Sequence, residues 1–396
     1  MKVNQIYSLL NDINHQMYGA DALDVNDLQG IISMGKSIVG DGTETDKFLG
    51  KLVDRIGKTV IRTLDLELDF PGLYMESFEF GAILQKISVN PFEAIKASEW
   101  TVGDNDFQPT LLDIHKPSIF VRYFTDADTW KFQVTIPDDM LFTAFASETG
   151  MSQFIDAIIQ AMTDSMTLCI NNMSRTAVNN FIAEKIKGAN GVINLLTGYN
   201  TLVGAGNEIT ADEAMHDKEF LRYASNEIRK YIKYISQPSV LYNLGDGSGN
   251  PVVRATARDN AHILCLTEFV AGVEAYLESD TFHNDLVALP GYTEVAYWQS
   301  NKGDSTTNDF ETVSSIAVTP SSEDGQDDPA DVEQSGIVCV IADRQAIAVG
   351  INKRRTGNFY NSIDAYSNIS QTATIQYIND MSENGLIFVV AGTEGN

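Results

Sequence analysis

The stretch MSQFIDAIIQAMTDSMTLCINNMSRTAVNNFIAEKIK, residues 151–187, runs for 37 residues without a glycine or a proline. Its apolar side chains recur every three or four residues, which places them on one stripe of an α-helix. The stripe consists of Phe154, Ile155, Ile158, Ile159, Met162, Met166, Cys169, Ile170, Met173, Ala177, Val178, Phe181, Ile182 and Ile186. At 1.5 Å per residue the helix would be roughly 55 Å long, several times the average. Such a helix needs a partner helix or a sheet to cover its stripe.

The composition around this helix is that of an ordered globular protein. The chain has 396 residues, 43% of them hydrophobic, with 29 glycines and 10 prolines. That length allows two or three domains with sizeable cores. The three cysteines, Cys169, Cys265 and Cys339, lie far apart in apolar runs. This favours buried free thiols over disulfides, and free thiols indicate a reducing compartment.

The charge of the chain excludes some classes of function. Its 54 acidic and 27 basic side chains give a formal net charge of −27, which would repel nucleic acid and anionic lipid over most of the surface. Direct DNA or RNA recognition is therefore not expected. The polar N-terminal residues do not form a signal-peptide core, and no run approaches the ~18 apolar residues of a membrane span. We expect neither secretion by that route nor a membrane segment.

The region before the long helix predicts strands. Residues 1–50 are polar and without a sustained period, which is typical of an extended or partly helical arm that a neighbour orders. Residues 51–70 end in alternating apolar and acidic positions, which predicts a strand with one wet face. Residues 118–124 and 130–136 are also strand-like, and the turn-forming segment 125–129 between them predicts a hairpin.

The region after the long helix is mixed, so the fold class is α+β. Gly188 is the expected helix stop, and residues 188–206 should be strand and loop. Helical periodicity returns at residues 217–235 and again around 261–278. Further along, the sequence predicts an acidic solvated loop over residues 301–333, and strands over residues 337–351 and 370–392.

No arrangement of residues predicts catalysis, a cofactor or a metal. His262 and Cys265 are three apart on one predicted helical face, but a zinc site needs about four ligands, and a buried core pair fits better. Asp138 and Asp139 are adjacent and fit the N-terminus of a helix better than an acid–base pair. We therefore predict no catalytic, cofactor-binding or metal-binding residues.

Basic residues are few and fall in two clusters. Lys51, Arg55, Lys58 and Arg62 form the first cluster, and Lys353, Arg354 and Arg355 form the second. On so acidic a protein, concentrated positive charge favours contact with an acidic patch of another protein over contact with nucleic acid.

The order of these segments resembles the Hong Kong 97 fold of tailed-phage major capsid proteins. Shorter stretches are similar to coat proteins of the small podoviruses with protein-primed genomes. The stretch LVDRIG (52–57) with VIR (60–62) resembles their E-loop approach, and Asp138-Asp139 with TAF (143–145) resembles the start of their spine helix. Residues 254–258 and 262–277 look like the A-domain helix region, and residues 358–373 look like the returning aromatic-rich segment.

This resemblance implies a division of the chain into five parts. Residues 1–50 would be the N-terminal arm, and 51–146 the start of the P-domain with the E-loop hairpin. Residues 147–188 would be the spine helix, its stripe packed on P-domain strands rather than on a second helix. Residues 189–350 would be the A-domain with its acidic loop 301–333, and 351–396 the returning P-domain strands.

The function implied is a non-enzymatic coat protein that assembles as hexamers and pentamers into an icosahedral head. The head would enclose double-stranded DNA without sequence-specific binding, with scaffold and portal proteins as partners and assembly in the host cytoplasm. The candidates for inter-subunit contact are Arg55, Arg62, Phe70, Trp100, Lys353, Arg354 and Arg355. An encapsulin-like shell with protein cargo is an alternative. A soluble acidic hydrolase of the glycosidase type is an alternative from another class, although the sequence offers no carboxylate pair for it.

Overall fold

The helices and strands below come from a computed structural model. The structure describes residues 3–19, 22, 24–39, 42–63, 69–75, 84–91, 119–125, 127–246, 250–277, 291–300, 312–313, 315–319 and 331–391. The helices are α1 (Val3–Tyr18), α2 (Leu28–Val39), α3 (Gly42–Thr63), α4 (Asp138–Ala144), α5 (Glu148–Lys187), α6 (Leu195–Val203), α7 (Ala211–Ala214), α8 (Lys218–Ile235) and α9 (Thr267–Leu277). The strands are β1 (Leu84–Val89), β2 (Ile119–Phe124), β3 (Ala127–Pro137), β4 (Val192–Asn194), β5 (Ala261–Leu266), β6 (Thr293–Val295), β7 (Gln299–Ser300), β8 (Thr312–Val313), β9 (Ile316–Val318), β10 (Val332–Gln334), β11 (Ile337–Asp343), β12 (Ile347–Asn361), β13 (Tyr366–Asn379) and β14 (Gly385–Val389).

Two larger sheets organise the part of the chain after α3. One has five strands in the order β4-β14-β11-β5-β6, in which β11 runs antiparallel to β14 and β5, while β4 and β6 pair in parallel at the edges. The other is antiparallel, with the order β12-β13-β3. Three two-stranded pairs, β1-β2, β9-β10 and β7-β8, complete the described sheets. The observed mixture of helices and sheets confirms the predicted α+β class.

The predicted spine helix is present as α5, a single helix of 40 residues. At 1.5 Å per residue it is roughly 60 Å long. It begins after Ser147, whose Oγ accepts a hydrogen bond from the Gly150 N–H at 2.9 Å. It ends at Gly188 as predicted, but with φ −75° rather than a left-handed backbone. A side chain there would instead collide with Leu244, because a Cβ would lie 2.4 Å from Leu244 Cδ2.

Helix α5 passes through two separate apolar cores. Its first half, from Met151 to Met162, packs into a core with α1, α2, α3 and α4, which we call the N-terminal core. Its second half, from Met166 to Ala183, belongs to a larger core built on the five-stranded sheet and α8. The expectation that the stripe packs on strands rather than on a second helix therefore holds for the second half. It is only partly right for the first half, where α1 and α3 contact α5 and the core also includes Ile136 of β3 and Ile369 of β13.

The described part of residues 1–63 is helical, which agrees with a partly helical arm and departs from the predicted strand. The described part of residues 1–50 forms α1, α2 and the start of α3, and these helices bury Leu10, Ile31 and Phe48 against the same chain. A helix also replaces the expected strand over residues 51–63, since α3 continues to Thr63. The alternating residues 64–68, on which the strand prediction depended, lie outside the described residues.

The hairpin expected over residues 118–136 is wrong, although both of its strands exist. Strand β2 pairs with β1, and β3 pairs with β13 in another sheet. The ladder between β3 and β13 runs from Ala127↔Gln376 to Pro137↔Tyr366. The side chains of Thr129 and Thr374 share a hydrogen bond of 3.1 Å across it. The hydrogen bonds of this long ladder stabilise β3 against β13 more than a short hairpin with β2 could stabilise it.

The segments after α5 agree in part with the sequence predictions. Helix α8 matches residues 217–235, and Asp217 caps it by accepting from the Phe220 N–H at 2.7 Å. The expected helix at 261–278 starts late, because β5 occupies its first six residues as an interior strand of the five-stranded sheet. Residues 188–206 contain α6 as well as β4, so the expectation of strand and loop alone is wrong.

The C-terminal segment contributes to both larger sheets. Strands β12 and β13 form most of the three-stranded sheet, whereas β14 lies between β4 and β11 in the five-stranded sheet. The expected boundary between the A-domain and the returning strands, at residues 350 and 351, therefore falls inside strand β12 and does not separate the two larger sheets. Strands β8 and β9 and the start of β10 fall within the predicted acidic loop 301–333, most of which lies outside the described residues.

Candidate interaction surface

The pair β1-β2, which we call the ribbon, has an apolar outer face and a mixed inner face, on which charged residues lie beside Phe120 and Phe124. Side chains alternate along each strand, so every second pair points to the same face. The outer face carries Ile87 opposite Val121 and Val89 opposite Ile119, with Tyr123 beyond them. All five of these side chains are exposed, to between 40% and 62%. The ribbon therefore turns its apolar face to solvent.

The inner face of the ribbon is held by ion pairs. Lys86 Nζ lies 2.7 Å from Asp380 Oδ2 and 2.7 Å from Glu383 Oε1. Beside it, a terminal guanidinium nitrogen of Arg122 lies 3.3 Å from Asp380 Oδ1. We call Asp380 and Glu383, together with the cations they hold, the charge clamp.

Arg254 extends the charge clamp from outside the ribbon. Its Nε lies 3.0 Å from Glu383 Oε1, and a terminal guanidinium nitrogen donates a hydrogen bond to Ser88 Oγ at 2.8 Å. Its guanidinium also lies over the Phe120 ring, 5.6 Å from the ring centre. Arg254 thus contacts both the clamp and the inner face of the ribbon.

Asp380 is the most deeply placed acid of the clamp, with no exposed surface. Burial alone would raise its pKa, because it penalises the charged form. The nearby Lys86 ammonium, hydrogen bonds from Lys86 and Ser382, and the Arg122 guanidinium outweigh burial and hold the pKa of Asp380 below its ordinary value. The carboxylate is therefore charged near neutral pH.

Lys185 of α5 lies behind the clamp and is fully buried. Its Nζ donates hydrogen bonds to the backbone oxygens of Tyr242 at 2.9 Å and Glu383 at 3.3 Å. Burial lowers the pKa of Lys185 to about 7, against the opposing effect of Asp380 and Glu383. The clamp thus adjoins a lysine whose charge is poorly solvated.

The seven residues expected at inter-subunit contacts lie in different environments. Lys353 and Arg355 are exposed on β12, and Arg354 between them is half-buried. Phe70 is 4% exposed and packs in the larger core, where Arg175 lies 5.9 Å from its ring centre. Phe70 therefore packs mainly within its own subunit. Trp100 lies outside the described residues, as do the side chains of Arg55 and Arg62 in α3.

The residues considered for metal binding and acid–base chemistry do not converge. Asp138 and Asp139 occupy the first turn of α4, as expected, and Asp138 accepts a hydrogen bond from the Tyr360 hydroxyl at 2.7 Å. His262 and Cys265 lie on strand β5, not on a helix, so positions three apart point to opposite faces. Within the described ranges, no group of three or more His, Cys, Asp or Glu side chains could hold a metal ion.

The three cysteines are buried free thiols, as predicted. Cys265 and Cys339 face each other across β5 and β11, with their sulfurs 3.4 Å apart. Burial raises the pKa of Cys169 to about 12, with Asp128 adding to the shift. In the described part of the chain, no helix combines the length and apolar character that a bilayer span requires.

Both sequence comparisons with known proteins match phage major capsid proteins. The family described as Phi29-like phage major capsid protein matches residues 9–389. The major capsid protein of Streptococcus phage Cp-1 is 26% identical over 147 residues, a match that spans 36% of this chain and only 37% of that protein.

Solved structures show the same fold at low identity. One is a chain from the capsid structure of Staphylococcus phage Andhra, with 12% identity, a TM-score of 0.55, and 82% of this chain and 84% of that chain covered. Another comes from a structure of the head fiber and inner core protein gp22 of native bacteriophage P68, with 12% identity, a TM-score of 0.56, and 82% and 85% covered. At such identity these likenesses establish the fold, and they agree with the predicted Hong Kong 97 architecture.

Proposed function

Because this chain belongs to the Phi29-like phage major capsid protein family, we propose that it assembles as hexamers and pentamers into an icosahedral head around double-stranded DNA. In this proposal the outer face of the ribbon contacts a neighbouring copy. The protein is then a component of the virion with a structural role, assembled in the host cytoplasm with scaffold and portal proteins. The family match favours this function over an encapsulin-like shell or an acidic hydrolase.

The observation that carries the proposed contact is the apolar outer face of the ribbon. An isolated two-stranded pair is at best marginally stable in water, and soluble monomers rarely leave contiguous apolar surface uncovered. Here Ile87, Val89, Ile119, Val121 and Tyr123 are all exposed on one face. A second copy of the chain would cover this face, which makes it a contact that assembly completes.

Charge supports the proposed relation to DNA. A formal net charge of −27 disfavours adhesion to phosphates. An acidic inner wall would let packaged DNA move against it without binding. The exposed cations Lys353 and Arg355 would in turn meet acidic patches of neighbouring copies, since opposite charges steer such contacts.

Assembly of the purified protein tests this function directly. The chain is expressed with the scaffolding protein of the same phage and followed by size-exclusion chromatography and negative-stain electron microscopy. We expect closed shells of uniform size. Protein that stays monomeric at high concentration with scaffold present would overturn the proposed function.

Charging the outer face of the ribbon is expected to abolish assembly while leaving the subunit folded. In the variant Ile87→Lys/Val121→Lys, two ammonium groups replace a directly opposed apolar pair that is already exposed. The free energy of unfolding should change by less than about 1 kcal/mol, because the side chains leave no core. Shell yield in the assembly assay should fall at least about tenfold, since an unpaired charge would be buried at the contact.

The matched control is Ile87→Val/Val121→Ile, which keeps an apolar face of nearly the same size. It should assemble like the unmodified protein. Normal shells from the double-lysine variant would contradict the proposed role of this face.

A further inference from the structure

We propose that the charge clamp sets the orientation in which the ribbon presents its apolar face to a second copy of this chain. The inference rests on the proposed function, because the second copy is the neighbouring subunit of the shell. Asp380 and Glu383 would be positioning residues: they lie on the inner side of the ribbon and act through Lys86 and Arg122.

Among the described residues, Phe124 is the one side chain of the ribbon that belongs to a buried apolar cluster of its own subunit. At one end Phe124 packs with Ala348 and Ile378 in a small separate cluster, and its backbone oxygen accepts from Gln376 Nε2 at 3.1 Å. A cleft of about 550 Å³ lies beside the ribbon, and Lys86 and Phe124 are among the residues that line it. Charge rather than close packing therefore provides much of the attachment.

The carboxylates of the clamp are held on a rigid turn. Residues 380–384 connect β13 to β14 and so link the two larger sheets. Asp380 Oδ1 accepts hydrogen bonds from both the N–H (2.9 Å) and the hydroxyl (2.6 Å) of Ser382. The Asp380 N–H donates to the Ala346 oxygen at 2.7 Å. Groups fixed in this way define a geometry, whereas flexible surface pairs do not.

The clamp contains more cations than carboxylates. Lys86, Arg122 and Arg254 converge on Asp380 and Glu383, and their side chains are only 12% to 20% exposed. Loss of Glu383 leaves Lys86 with Asp380 alone and removes the carboxylate that Arg254 contacts, and such a loss is unfavourable for partly buried cations. The ribbon can relieve that cost by moving away from the turn, because its own ladder does not include strands of the two larger sheets. Release of the ribbon is therefore the expected response.

Hydrogen–deuterium exchange on the unassembled subunit tests the clamp. In Glu383→Gln, and in Asp380→Asn as a second variant, amides of β1 and β2 should exchange at least about tenfold faster, while those of β12 and β13 keep their rates. The matched control is Asp69→Asn, which removes a carboxylate that pairs with Arg175 of α5 at 2.7 Å rather than with a cation of the ribbon. It should leave the rates of β1 and β2 unchanged.

The outcomes separate the clamp from the proposed function. Faster exchange confined to the ribbon, together with fewer shells from both clamp variants, supports the inference. Unchanged ribbon exchange in folded Glu383→Gln overturns it, whether or not the protein forms shells. If Asp380→Asn fails to fold, Glu383→Gln alone decides. A wild-type protein that never forms shells overturns the function, and the exchange result still decides whether the clamp holds the ribbon.

Discussion

Replacement of Phe181 by alanine is expected to lower the free energy of unfolding by about 3–5 kcal/mol. Phe181 is fully buried in the second half of α5. Its ring packs directly on β14, so close that a Cβ built on Gly385 would lie 2.3 Å from Phe181 Cζ. Truncation removes the apolar ring and leaves a cavity between helix and sheet. Denaturant titration followed by tryptophan fluorescence measures the loss.

Two further variants make this prediction specific. Leu202→Ala removes a side chain that is 71% exposed and should change stability by less than about 0.5 kcal/mol. Gly385→Ala should cost about 1–3 kcal/mol by overpacking, and this cost should shrink once Phe181 is alanine, because the colliding ring is gone. Additive losses in the double variant would show that the ring and Gly385 are not in contact.

Lys185 is expected to contribute a free energy of folding that becomes more favourable as pH rises from about 7.5 to 9.5. Burial lowers its pKa from 10.5 to about 7 in the folded protein. Between these values the unfolded chain binds a proton that the folded chain does not, so unfolding becomes less favourable as pH rises, by about 1.4 kcal/mol per unit. Over two units the gain is about 2–3 kcal/mol. Buried thiols act in the opposite direction within this window, because burial raises the pKa of Cys169 to about 12 and only the unfolded chain loses that proton. The contribution of Lys185 is therefore the difference between the protein and a variant that lacks this lysine.

Comparison with Lys185→Met isolates this contribution. Methionine has a similar length and no charge, so the variant should lack the contribution of Lys185, and its pH slope over this window should be lower than that of the unmodified protein by about 1.4 kcal/mol per unit. In this variant the backbone oxygen of Tyr242 still accepts a hydrogen bond from the Gly385 N–H at 2.9 Å. Equal pH slopes for the two proteins in urea titrations would contradict a neutral buried lysine.

The sequence predicted those elements whose signals are local and long. Helix α5 has an uninterrupted 3.6-residue period, and α8 combines such a period with an Asp217 cap. Strand β5 was missed because a short, fully apolar run fits a helix and an interior strand equally well. The pairing of β3 with β13 joins residues more than 200 positions apart, and nothing near residue 130 indicates it.

The interaction surface shows the same limit. The alternation of polar and apolar side chains in residues 86–89 is visible in the sequence and could have indicated a two-faced strand, whereas Phe120 interrupts the alternation in residues 119–123. Which face lies inside could not be predicted, since the usual rule buries the apolar face, and the ribbon does the reverse. The reason is a pair of carboxylates far along the chain: Asp380 is 294 residues from Lys86.

The passage of α5 through both cores has a consequence for how the subunit unfolds. Neither core can come apart alone without fraying half of a continuous helix or leaving its apolar stripe in water. The helix thus makes the arm helices α1 to α3 and the five-stranded sheet one cooperative folding unit. Calorimetry should show a single heat-absorption peak for the two cores, with no earlier melting of the N-terminal one.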